Sequence, residues 1–227
     1  MNNEELPIEM AEREKQSLIL STLASVAPWV GGPISNVLNA KSSDRKLMRI
    51  YETIDILKKN IKRVESDAAK MYAQTEEFED ILEATLRRAS EERSQNKREV
   101  YASFIIREIE APFRNYDEQV EMLKMLERLS LEHMQLLKAF AQEPDIGRVE
   151  TMGSVGNTLS KRIPQVSNEL RNELLEDLQQ MRLVSEVCIA AMITGAGAND
   201  LRSHVSSRGQ RILEYTKNVA FDDEHMR

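Results

Sequence analysis

Cysteine is nearly missing from this sequence: Cys188 stands alone, so no intrachain disulfide can form and no Cys-x-x-Cys metal or redox pair exists. The chain is not built for an oxidising compartment, and the cytoplasm is the expected location. Glycine (8), proline (6) and aromatic residues (5%) are all scarce in a chain of 227 residues, a balance that favours helices over strand-and-turn architectures. Positive charge is in deficit, 31 Lys and Arg against 38 Asp and Glu, and the formal charge of −7 argues against indiscriminate binding to nucleic acid or anionic lipid. Proteins are the expected partners.

A long apolar run is missing too. From Ser17 to Ala40 no charged residue occurs, yet Pro28, Gly31, Gly32 and Pro33 interrupt the stretch. The pieces on either side fall short of the roughly 20 mainly apolar residues that span a bilayer. Two short helices with a tight bend fit the pattern. Leu18, Leu20, Leu23, Trp29, Val30, Ile34 and Leu38 then form an apolar hairpin, buried or covered by a partner. Contact with a membrane surface, peripheral to the inner membrane, is the alternative. Asn2, Asn3, Glu4 and Glu5 precede the first apolar residues, unlike the basic start of a secretory signal, so no export signal is expected.

What is present is helical periodicity. After Asp44, a candidate cap, Leu47, Ile50, Ile54, Leu57, Ile61 and Val64, continued by Ala68 and Met71, alternate by three and four residues. This heptad seam predicts a long helix packed along one partner, intramolecular in a bundle or between copies in a coiled coil. The basic run Lys58 to Arg63 reads as its solvated face. Thr75 before Glu76 and Glu77 marks a new helix start, with acid residues against the positive end of the dipole. Phe78, Ile81, Leu82, Leu86 and Ala89 form its apolar stripe. Val100, Phe104, Ile105 and Ile109 mark a further helix ending ahead of Pro112; Tyr116, Val120, Leu123, Leu126 and Leu129 mark another. Ser130 is the expected cap of a helix from Leu131 to Gln142.

The C-terminal part changes character. Ser167 or Asn168 caps a helix carrying Leu170, Leu174, Leu175, Leu178 and Met181; Val184 to Ile193 is strand-like in composition, and Thr194 to Asp200 is turn-rich. Leu201 to Val205 is read as the returning strand, before a last helix containing Ile212, Leu213 and Tyr215. Helix, strand, turn, strand, helix is the order of a winged-helix module with a small β-hairpin. The expected fold is therefore mainly α, in four segments: an apolar helical hairpin over 1–43, a bundle with the long helix over 44–129, a winged-helix-like module over 130–219 and an acidic tail over 220–227.

Chemistry is hard to find. The candidate metal ligands Cys188, His133, His204 and His225 have no metal-site spacing, so no metal and no cofactor is expected. Cys188 lies in an apolar run without a neighbouring His and reads as inert core. Gly153-Ser154-Val155-Gly156-Asn157-Thr158 is glycine-bearing, but no Lys follows the second glycine and no preceding strand is expected, so it is not read as a phosphate cradle. The cluster Glu76, Glu77, Glu79 and Asp80 serves the helix dipole and solubility. With no catalytic residue to name, a non-enzymatic interaction or assembly protein is the first reading, with a protein partner or self-association. DNA binding is the second: Lys161, Arg162, Arg202, Arg208 and Arg211 offer a basic edge, although the candidate recognition helix, with Glu169, Glu173, Glu176 and Asp177 against Arg171 and Arg182, would repel phosphate. A membrane-active effector using the apolar hairpin is the third.

Several stretches carry a family resemblance. Gly31-Gly32-Pro33-Ile34 through Asp44-Arg45 into the Leu47 helix, Arg98 to Ile105, and Leu126 to His133 with Leu136-Leu137 resemble segments of the bacterial abortive-infection alpha proteins, and His204 to Arg211 looks like the threonine, glycine, arginine motif closing many winged helices, with Ser206-Ser207 in the place of the threonine. The resemblance implies a role in antiviral defence and brings no catalytic residues with it.

Overall fold

The computed structural model describes residues 44–61, 67–111, 115–145 and 151–219. Within them the chain is mainly helical, with ten α-helices, one 3-10 turn and a two-stranded antiparallel sheet. The apolar hairpin (Leu18 to Leu38), Val64 and the acidic tail lie outside the described residues. The chain divides into two compact units between Leu123 and Lys124.

The first unit is built on α1 (Asp44–Ile61), α2 (Asp67–Tyr72), α3 (Glu76–Glu91) and α4 (Gln95–Glu110). Ile50, Ile54 and Leu57 of the seam are buried and pack α1 against α3 and α4, so this part of the seam faces its own chain. Leu47 is half-buried, and the Ile61 side chain lies outside the described part of the structure. The expected continuation through Ala68 and Met71 is corrected: Ala68 is exposed, Met71 is 72% exposed, and α2 buries Ala69 instead. The stripe that α2 buries is thus one residue out of phase with the seam expected from the sequence.

Local chemistry explains the boundaries. Thr75 accepts the Phe78 N–H at 3.3 Å and starts α3, whose Phe78, Ile81, Leu82, Leu86 and Ala89 are all buried. Its C-terminal carbonyls are met by cations, as the dipole favours. Arg49 donates to the Ser90 and Glu91 carbonyls at 3.1 and 3.2 Å, and Lys46 pairs with the Glu91 carboxylate at 3.0 Å. Arg98, itself buried, donates to the Glu92 and Arg93 carbonyls just beyond and pairs with Glu52. Ser94 caps α4, which buries Val100, Phe104, Ile105 and Ile109. On α5 (Tyr116–Arg128), Tyr116 is exposed while Gln119 and Met122 are buried; the Tyr72 hydroxyl donates to Gln119 Oε1 at 2.7 Å.

The second unit continues with α6 (Leu131–Ala141), β1 (Met152–Ser154), α7 (Val155–Arg162), α8 (Asn168–Gln180), β2 (Met192–Thr194), α9 (Gly195–Asn199), a 3-10 turn (Arg202–His204) and α10 (Ser207–Thr216). α6 is its centre: Met134, Leu136, Leu137 and Phe140 are buried, and α7, α8 and α10 pack on it. The strands differ from the sequence expectation. β1 pairs with β2 in the register Met152↔Thr194, Gly153↔Ile193 and Ser154↔Met192, whereas the expected hairpin of Val184–Ile193 with Leu201–Val205 is reduced to one bridge, Val184↔Val205. The physical reason lies in Gln179. Its amide donates to the Ser185 and Val187 carbonyls at 3.4 and 3.0 Å, and the Ala191 N–H turns back to the Cys188 carbonyl at 3.2 Å, so this backbone is held as a loop. The turn-rich Gly195–Asn199 is a short helix, capped by Thr194 at 3.2 Å.

Candidate functional site

The functional candidate is the corner between α7 and α8, with the surfaces around it. Ser154 accepts the Asn157 N–H at 3.2 Å and starts α7; Ser167 accepts the Leu170 N–H at 3.2 Å and starts α8. Arg171 locks the turn between them from inside. Buried at 3% exposure, it donates to Ser160 Oγ (2.6 Å), Asn168 Oδ1 (2.8 Å) and the Val166 carbonyl (2.6 Å). Burial lowers its pKa from the usual arginine value. The helical pattern puts Arg171 among the outward charges of the candidate recognition helix and Leu170 on its apolar side; the structure exchanges them, leaving Leu170 38% exposed. Leu174, Leu175, Leu178 and Met181 are buried as expected. The outward face of α8 therefore holds Glu169, Glu173, Glu176 and Asp177, all exposed, without Arg171 to offset them, while Arg182 is exposed just past the helix end.

The expected basic edge is not a row of free charges. Arg162 donates to the Ala139 and Asn199 carbonyls at 2.6 and 2.7 Å, joining the ends of α6 and α9, and burial lowers its pKa. Arg202 grips Asp200 with two bonds of 2.8 Å and reaches Glu143 at 3.3 Å. That grip holds the Asp200 carboxyl down at about 2. Lys161 is exposed on α7, Arg208 is exposed in the first turn of α10, and Arg211 is half-buried further along α10. Two of the five thus hold the fold together, which sequence position alone did not signal.

Lys161 and Arg162 also line a polar cleft of about 420 Å³, facing Glu143 and Asp145 and bordered by Asn157 and Thr158. Two cations and two carboxylates leave it close to neutral. Thr158 Oγ1 donates to the Ala198 carbonyl at 2.7 Å, and Asn199 makes both its bonds to the Asp145 backbone, so much of its polarity is already satisfied. The glycine-bearing segment Gly153 to Thr158 crosses this cleft. Its first two residues belong to strand β1, where no strand is expected from the sequence, but Asn157 stands where a phosphate cradle places Lys. Gly156 serves packing: a Cβ there would lie 2.6 Å from Ile189 Cγ2, and its N–H donates to the Ile189 carbonyl at 3.1 Å.

A second polar cluster escaped the sequence reading. Ser130 Oγ lies 2.9 Å from His133 Nδ1, and His133 Nε2 lies 3.2 Å from Asp177 Oδ2. The spacing resembles a nucleophile, base and acid. However, the Ser130 N–H donates to Nδ1 at 3.1 Å while Ser130 Oγ accepts the His133 N–H at 3.3 Å, a reciprocal cap of α6. Nδ1 is thereby the acceptor and Nε2 carries the proton toward Asp177, so the cluster clips α6 onto α8. The i, i+3 spacing of Ser130 and His133 was the available signal. Cys188 is exposed, not core, because its backbone belongs to the loop that Gln179 holds. Among the described residues no three His, Cys, Asp or Glu side chains gather as a metal ion requires, and no helix is long and apolar enough to cross a membrane.

No family model, curated protein or solved structure matches this chain.

Proposed function

We propose that the protein is a non-enzymatic interaction and assembly protein whose C-terminal unit is a winged-helix-like module turned toward protein partners. One observation carries this reading: the exposed face of α8, the second helix of the corner, presents Glu169, Glu173, Glu176 and Asp177 while its only arginine is buried. In a DNA-binding module this helix enters the major groove, and an acidic face there repels phosphate and releases no counterions. Binding to a protein surface has no such cost. The resemblance to abortive-infection alpha proteins gives the role its setting in antiviral defence.

The test pairs two measurements. Affinity purification from the native host with wild type and with Glu173→Lys/Glu176→Lys is expected to lose a specific partner in the variant. Mobility-shift titration of duplex DNA at two salt concentrations is expected to show no complex at either; a shift at low salt that fades at high salt overturns the reading in favour of a DNA regulator. The membrane alternative rests on Leu18 to Leu38, and recovery with floated liposomes would support it.

A further inference from the structure

The C-terminal end of α8 carries an exposed arginine pair that the sequence reading did not assemble. Arg182 ends the helix with φ 56, a left-handed conformation that glycine or asparagine usually fills. Its carbonyl accepts the Ser206 hydroxyl at 2.7 Å, and the Ser206 N–H donates to the Leu183 carbonyl at 3.0 Å. α10 starts at the next residue, so Arg208 in its first turn and Arg182 leave from backbone segments bonded to each other. Both side chains are exposed, and neither has a partner among the described residues. At the other end of the helix, Glu169 and Glu173 are exposed and equally unpartnered.

From this polarity we infer that two copies of the chain associate through α8, running antiparallel about a two-fold axis. The inference rests on the protein-interaction reading and names its partner. α8 spans 13 residues, about 20 Å at 1.5 Å per residue. Antiparallel pairing brings the Glu169/Glu173 end of each helix to the Arg182/Arg208 end of the other. Such a contact is isologous and closes at a dimer. Glu169, Glu173, Glu176 and Gln180 follow one another by four, three and four residues and form the ridge that meets its copy. Leu170, exposed beside the ridge, supplies apolar area. Glu176 lies near the axis and opposes its own copy, so Glu176→Gln strengthens the association.

The experiment is sedimentation velocity of the full chain at low and high salt, with wild type, Glu169→Lys/Glu173→Lys and Arg182→Glu/Arg208→Glu. Circular dichroism verifies that each variant is folded. Wild type is expected to dimerise and to weaken as salt screens the pairs. Each reversed variant is expected to bind itself on the order of ten-fold more weakly or not at all, and an equimolar mixture of the two to recover a heterodimer. A wild type that stays monomeric at about 100 μM in low salt overturns the inference, since a specific contact of this kind should hold below that concentration. Reversed variants that dimerise as wild type does also overturn it, as does a mixture that recovers nothing. These outcomes leave host-partner capture untouched, so failure of the dimer and failure of the wider reading are distinguishable.

Discussion

Replacing Gly209 by alanine sets two physical effects against each other with opposite signs. Gly209 lies in the first turns of α10 and has no positive φ, so helix propensity alone favours alanine by about 1 kcal/mol. Packing opposes it: a Cβ would lie 2.3 Å from the Leu183 carbonyl oxygen and 2.9 Å from Val205 Cγ1. Backbone cannot yield as a side-chain tip can, so the start of α10 must lift from the Arg182–Ser185 segment. Three hydrogen bonds depend on that approach: Ser206 N–H to Leu183 (3.0 Å), Ser206 Oγ to the Arg182 carbonyl (2.7 Å) and Ser185 N–H to His204 (2.8 Å). At about 1 kcal/mol net for each, their loss outweighs the propensity gain and leaves Gly209→Ala about 2 kcal/mol less stable. For a unit of about 100 residues this is a fall in melting temperature of about 10 °C. Calorimetry reads the total, and hydrogen exchange at the Ser185 and Ser206 amides locates it. A variant as stable as wild type, with those amides still protected, would refute the close-packing argument.

Arg182→Gly removes a side chain from the left-handed position and should stabilise the second unit by about 1 kcal/mol in urea titration while weakening self-association; a loss of stability would contradict the conformational argument. Arg171→Met strips the α7–α8 turn of three charge-assisted bonds from a buried site and should cost about 3 kcal/mol; a cost under about 1 kcal/mol would show the corner does not depend on it. For Asp200 the folded pKa is lowered from 3.8 to about 2, so its contribution to stability is present above 3.8 and lost as pH falls through about 2. Carboxyl NMR should place its midpoint near 2, and Arg202→Gln should return it toward the ordinary aspartate value of about 4.

The elements legible in the sequence were those set by nearest neighbours along the chain. Thr75, Ser130 and Ser167 cap helices because each acceptor needs only a backbone N–H three residues on, and the stripe of α3 follows from one helical period. The unread parts depended on residues remote from the segment concerned. Val184 to Ile193 has strand composition, yet Gln179 takes two of its carbonyls, and the strand that pairs with Met192–Thr194 lies some forty residues earlier. The same limit governs the candidate site. A count of formal charge gave five basic residues as one edge, but Arg162 and Arg202 are bound internally, which no local pattern announces. Arg182 reads from the sequence only as a charge on the recognition helix, and its bond to the α10 cap is what brings it beside Arg208. A charge is informative about partners once those engaged within the fold are subtracted. By that measure α8 keeps an acidic face that begins at its N-terminal end with Glu169 and Glu173 and gains a basic pair just past its C-terminal end, a polarity that fits a second copy of the same helix better than it fits a phosphate backbone.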